Sequence, residues 1–382
     1  MAVWLRLAVA GAATLMVGMG IGRFSYAPLV PALIQNDALS AAQAGYVGAF
    51  NLAGYLAGAL VTPALRARYR EAAILKVCLW LSLVCLAASI LPWGFVWLVF
   101  WRFLVGCTVA VMMIGALALV TRAAPPERLG RATGIVFTGV GVGILFAGSM
   151  VPILLRSGLA TAWAGLAVLG AIGVVVGHWG WSGTDAPPAP PPAGRAPLTS
   201  QTVRLVGGQA MFSIGMVPYS IYAVDHAVRG LGHDIAFGGL IWALFGLGAL
   251  TGTLLWGRLA DRIGFGAGLS VIFAVLAIAV AMPVVWPVPA VLVISAYVFG
   301  TQPGLSAMAS GRAHQVVGAA HMPLVWRWMV LGAGAGQVVG GYGLVMVYNA
   351  TLSHTPVFLI GAAAMACGSM LAFPAWDRVA AR

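Results

Sequence analysis

One arginine stands alone in the stretch Gly18 to Pro31, GMGIGRFSYAPLVP, which continues an apolar run that begins near Leu7. Arg23 has no acidic residue beside it. A guanidinium grips a carboxylate or phosphate through two parallel hydrogen bonds, so the chemistry open to Arg23 is anion binding or the satisfaction of backbone carbonyls. Gly18, Gly20 and Gly22 allow another backbone to approach closely, and Pro28 and Pro31 loosen the end of the helix. A second arginine, Arg102, lies in a later apolar run. Each is about seven residues from the same end of the layer its run would cross, roughly 10 Å deep at helical rise. Two like charges at one depth repel unless something anionic lies between them. An anionic ligand is one candidate partner; the other reading gives Arg102 to carbonyls on neighbouring helices, and both stay open. Tyr26, Asn51, Tyr219, Tyr222, Gln302 and Gln337 are polar groups within apolar runs that can orient a ligand or bond one helix to the next.

The runs that hold these residues fix the class of protein. Of 382 residues, 62% are apolar and 7% charged, against about 25% charged in a soluble domain. No soluble fold hides so much apolar surface, so the solvent is lipid. The net charge of +12 is scattered in short clusters between the runs, with no basic face or nucleic-acid motif. Cys78, Cys85, Cys107 and Cys367 all lie in apolar runs without metal-ligand spacing and read as small packing residues. The N-terminus is not read as a cleaved leader, because the apolar run continues to Val30.

Twelve spans are expected, at roughly 6–30, 44–63, 73–91, 95–120, 132–153, 159–178, 203–225, 236–256, 268–286, 289–308, 323–348 and 355–375, each of a length that suits a helix crossing the hydrocarbon core. With the N-terminus inside, the inner side holds Arg6, Arg66, Arg68, Arg70, Lys76, Arg122, Arg128, Arg131, Arg195, Arg204, Arg258, Arg262, Arg312, Arg378 and Arg382, and the outer side only Arg156 and Arg229. That asymmetry puts both termini in the cytoplasm. The proline-rich stretch Thr184 to Pro197 reads as a linker. It gives an N-terminal six-helix bundle over 1–178, a cytoplasmic linker over 179–202 and a C-terminal six-helix bundle over 203–382. The halves repeat: Gly22 and Tyr26 match Gly215 and Tyr219 at an offset of 193, and Gly54 and Gly58 match Gly248 and Gly252 at 194. Parallel repeats of six imply a pseudo-two-fold axis along the membrane normal.

Several stretches carry a family resemblance. GRLADRIG, from Gly257 to Gly264, resembles the loop motif of the major facilitator superfamily between spans 8 and 9. Its counterpart after span 2, TPALRARYR, keeps the arginines and lacks the aspartate. RFLVG, from Arg102 to Gly106, resembles the superfamily's span 4 arginine motif, and GVGVGILFAG resembles its glycine-rich antiporter motif without the proline. GMGIGRFSYAPLVP and NLAGYLAGAL resemble the YbfB-like group. The resemblance implies an all-α membrane transporter with spans 1, 4, 7 and 10 around a central cavity. It also implies a conformational latch made by Arg258, Asp261 and Arg262 in the inner loop.

The expected function is secondary active or facilitative transport of a small, anionic organic solute across the bacterial inner membrane by alternating access. Arg23, Tyr26, Asn51, Arg102, Tyr219, Tyr222, Gln302 and Gln337 are the candidate substrate-binding residues. The alternatives are efflux by proton antiport and a non-transporting sensor of the same fold. No catalytic pairing, metal cluster or phosphate loop is visible, so neither an enzyme nor a cofactor is expected. The expected partners are the small-molecule substrate, the lipid bilayer and a coupling ion left unassigned. Nucleic acid is excluded and a monomer is expected. Arg327, a turn into span 11, is expected to snorkel to the inner surface.

Overall fold

The computed structural model describes residues 2–184 and 197–373. The described chain is helical throughout, and eleven helices are long and apolar enough to cross a membrane. They are α1 (Val3–Gln35), α2 (Ala41–Arg68), α3 (Glu71–Ala88), α4 (Phe95–Ala123), α5 (Leu129–Leu155), α6 (Leu159–Trp181), α8 (Ile235–Ile263), α9 (Phe265–Val285), α10 (Pro289–Gly318), α11 (His321–Thr351) and α12 (His354–Leu371). Between α6 and α8 lies α7 (Ser200–Val217), less apolar because Gln201, Arg204 and Gln209 interrupt it. Most of the proline-rich linker, with Arg195, lies outside the described residues, as do Arg378 and Arg382.

Two helices are broken at places that the repeat makes equivalent. In α1 the regular turns give way to a π stretch over Met16–Arg23 and a 3-10 stretch over Phe24–Leu29 before α geometry resumes at Val30. Three glycines weaken the helix in the first stretch, and Pro28 lies in the second. In α7 the break begins at Pro218, which has no N–H to donate, and the chain runs on through π turns at Pro218–Tyr222 and His226–Gly230. A third kink, at Thr301 and Gln302 before Pro303, divides α10. α8 extends past its expected end, so Arg258, Asp261 and Arg262 sit on its last turns rather than in a loop; Gly264, at φ 80°, stops it.

Helices before the linker pack mainly on one another, as do those after it, and two long seams join the sets. In one seam α5 and α8 run antiparallel, with Pro152 against Gly239, Gly148 against Ala243, Leu145 against Gly246 and Gly141 against Leu250. Two turns further along that register stand Gly134 and Gly257, and a Cβ on either would meet nothing within 4 Å. In the other seam α2 and α11 are antiparallel, with Gly45 against Val345, Ala49 against Gly341 and Leu56 against Gly334. The first seam is closed on the far side, opposite the start of α1, and splays open on the near side.

Candidate functional site

The break in α1 frees its backbone from a regular ladder and turns Arg23 inward. Arg102 of α4 secures the break. One guanidinium nitrogen donates to the Gly22 carbonyl and the other to the Arg23 carbonyl at 2.9 Å. Its guanidinium also lies over the Tyr26 ring, 5.0 Å from the centroid. Asn51 of α2 donates to the Arg102 carbonyl at 2.7 Å. These bonds need α2 and α4 to touch backbone to backbone, and a Cβ on Gly54 would overlap the Phe103 carbonyl. Gly54 and Gly58 are thus packing residues, as their GxxxG spacing predicts.

Arg23 points the other way, into a cavity between the two sets of helices. Its guanidinium lies between the rings of Phe24 and Tyr55, 5.4 Å from each centroid. The residue is 5% exposed, and no acid among the described residues pairs with it. Its Nε and Nη2 have no hydrogen-bond partner among the described residues. The cavity holds about 90 Å³, several times the ~10–15 Å³ that one water needs, so a small solute fits. Opposite Arg23 stand Gln209 and Ser213 of α7, Gln302 at the kink of α10, Ser306, and Gln337 of α11. The Gln209 Nε2, Ser213 Oγ and Gln337 Oε1 are also buried without partners among the described residues. Met19, Phe24, Phe212, Met216, Trp326 and Met329 complete an apolar wall. Unpartnered buried polar atoms are costly, and here they converge on one space, as they do where a ligand completes them.

Of the residues singled out from sequence, Arg23, Gln302 and Gln337 line this cavity. Asn51 and Arg102 lie behind it, bonded to backbone. Tyr26 donates to the Ala44 carbonyl at 2.8 Å. Tyr219 is bonded to Ser295 and stacked on Phe299 with centroids 4.3 Å apart, inside the second set of helices. Tyr222 reaches the far-side seam, where its hydroxyl lies against Gly45. Tyr55, Gln209, Ser213 and Trp326 are cavity residues that sequence reading passed over. Gln209 and Ser213 carried a signal, being polar and four apart on one helix face.

The near side has two charge clusters. Arg258, Asp261 and Arg262 are exposed and form no ion pair among the described residues. After α2, where the repeat lacks its aspartate, Glu71 takes that place: Arg66 Nε lies 2.6 Å from Oε1 and Arg122 Nη2 lies 2.7 Å from Oε2. Arg327 is exposed near the start of α11.

The sequence matches the family described as "Uncharacterised MFS-type transporter YbfB" over residues 15–373. The chain belongs to this family. It is therefore an MFS-type transporter and an integral membrane protein. The fold is also that of solved transporters. A POT family transporter in complex with 5-aminolevulinic acid matches with a TM-score of 0.78 at 12% identity, covering 99% of this chain and 96% of that one. A POT family transporter in complex with a thioalcohol-conjugated peptide gives 0.76 at 12% identity, over the same shares of both chains. The peptide transporter POT in complex with sulfate gives 0.73 at 16% identity, covering 96% and 94%. At such identities the likeness is one of fold. No curated protein sequence matches the chain.

Proposed function

We propose that this MFS-type transporter moves a small organic anion across the bacterial inner membrane by alternating access, with Arg23 as the counter-charge of the bound anion. The observation that carries the reading is the Arg23 guanidinium, buried without an acid and open on Nε and Nη2 toward a cavity between the two sets of helices. Gln209 and Ser213 add donors across the cavity, and the apolar wall suits a carboxylate on a short organic body. The architecture in this reading is twelve spans in two six-helix bundles about a pseudo-two-fold axis, with both termini in the cytoplasm and a monomer as the working unit. The basic residues make the near side cytoplasmic, so the structure is an inward-open state. The released Arg258–Asp261–Arg262 cluster supports that reading, since a latch on the open side should be undone.

The test begins with a thermal-shift screen of metabolites on the purified protein. The best hit is then bound to wild type, Arg23→Lys and Arg23→Gln, with melting curves as the folding control. The expected hit is an anion that binds weakly to Arg23→Lys, which keeps the charge and loses the fork, and not to Arg23→Gln. A neutral or cationic hit that all three bind alike removes Arg23 from the site.

A further inference from the structure

Away from the cavity, the far-side segment Pro218–Gly230 that continues α7 holds a buried cluster that anion binding does not use. Asp225 is 1% exposed. Its Oδ2 accepts from His354 Nε2 at the start of α12, 2.9 Å away, and its Oδ1 faces Arg229 Nε at 3.3 Å. Arg229 in turn donates to the Tyr348 hydroxyl of α11 at 3.1 Å. His226 is bonded through Nε2 to the Pro283 carbonyl of α9 at 3.2 Å, and its ring lies 5.0 Å from that of His354.

These partners fix both tautomers. A carbonyl and a carboxylate only accept, so each imidazole carries its hydrogen on Nε2 and keeps a lone pair on Nδ1. The two Nδ1 atoms converge on Gly230: a Cβ there would lie 2.8 Å from that of His226 and 3.0 Å from that of His354. Gly230 is exposed, so a residue without a side chain is what separates these buried rings from solution. The His226 Nδ1 has no partner among the described residues. One added proton can sit on either Nδ1, while two imidazolium rings with centroids 5.0 Å apart would repel.

We propose that His226 and His354, backed by Asp225, bind a proton at the far-side seam, and that its uptake favours opening of that side. The proton comes from solution onto an Nδ1 lone pair, with no other bond made or broken. Before uptake the cluster is balanced, Asp225 against Arg229; afterwards it carries one positive charge in a buried place, which hydration on opening relieves. The other groups facing it are Tyr222 and Arg229 on the same segment, Tyr348 of α11, and Tyr26 of α1 and Tyr46 of α2 around Tyr222. On α8, Asp234 caps the helix and the His233 ring lies on Phe237. The cluster is joined to the seam: Tyr222, one turn before Asp225, has its ring 5.0 Å from Tyr348 and its hydroxyl against Gly45, while Ile221 packs on Gly48. The inference goes beyond anion binding and uses no atom of Arg23.

The experiment is hydrogen–deuterium exchange of the purified full chain at about pH 8 and about pH 5.5, which bracket histidine titration, corrected for intrinsic exchange. In wild type, the start of α2 and the segment Pro218–Gly230 should open roughly tenfold more at the lower pH, the effect of about one pKa unit of difference between closed and open states. The difference should vanish in the double variant His226→Gln/His354→Gln and persist in Arg23→Gln, which separates this proposal from the anion reading. Melting curves identify folded variants, and the result is read on those. An absent or reversed difference in wild type overturns the proposal without any variant, and so does its persistence in the folded double variant.

Discussion

Arg102 donates a 2.9 Å hydrogen bond to the backbone carbonyl of Arg23, so one buried arginine positions the chain that presents the other. The two guanidiniums share a neighbourhood and divide the work. Arg102 is spent on carbonyls at the break in α1, and Arg23 keeps its donors for the cavity.

This division predicts opposite responses to substitution. Arg102→Gln removes charged hydrogen bonds to two carbonyls and should lower stability by about 2–3 kcal/mol. Without substrate, Arg23→Gln should melt no lower than wild type, because it removes a buried charge that has no partner. Melting curves of both variants in one detergent decide the matter; an equal loss in the two would make Arg23 as structural as Arg102.

Glu71 should be a stability residue of the near side. Glu71→Gln leaves Arg66 and Arg122 facing each other across a neutral amide. Both arginines reach solvent, so the expected loss is about 1–2 kcal/mol, the lower end for hydrogen bonds to charged groups. A melting temperature unchanged at both low and high salt would show that the pairs contribute nothing.

The glycines of the α5–α8 seam should separate folding from conformational change. Gly148 and Gly246 contact the facing helix closely, and Gly148→Leu should prevent assembly. Gly134 and Gly257 face open space here. Gly257→Leu should fold normally and trap the near-side-open state, since the added side chain obstructs near-side closure. Labelling of a cysteine placed in the cavity from each side of the membrane measures this; unchanged two-sided access would refute it.

Asp261→Asn tests the near-side latch. Asp261 is exposed and has no ion pair among the described residues, so the variant should melt within about 0.5 kcal/mol of wild type, as surface substitutions usually do. Its effect should appear only as a shift toward near-side-open accessibility. Equal accessibility in variant and wild type would leave the aspartate without a latch role.

The solvent, the helical class and the family were all legible in the chain before any coordinates. Those follow from the length and spacing of apolar runs and from motifs such as GRLADRIG, which are local properties of the chain. The sequence also marked Arg23, because a lone charge in an apolar run is visible without coordinates, and the close approach of α2 to α4 at Gly54 and Gly58, because GxxxG spacing is a pattern along one helix. Only tertiary structure decided what each polar group meets. Arg23 and Arg102 look alike in sequence, yet the break in α1 offers carbonyls to one and leaves the other facing a cavity. Gln209 and Ser213 become cavity residues through the rotation of α7, which periodicity alone does not set. Asp225, His226 and His354 lie at the ends of the expected spans 203–225 and 355–375, but α9, α11 and α12 close around them and bury all three. Pairing across 129 residues, from Asp225 to His354, depends on how helices pack, and no local pattern in the chain encodes it.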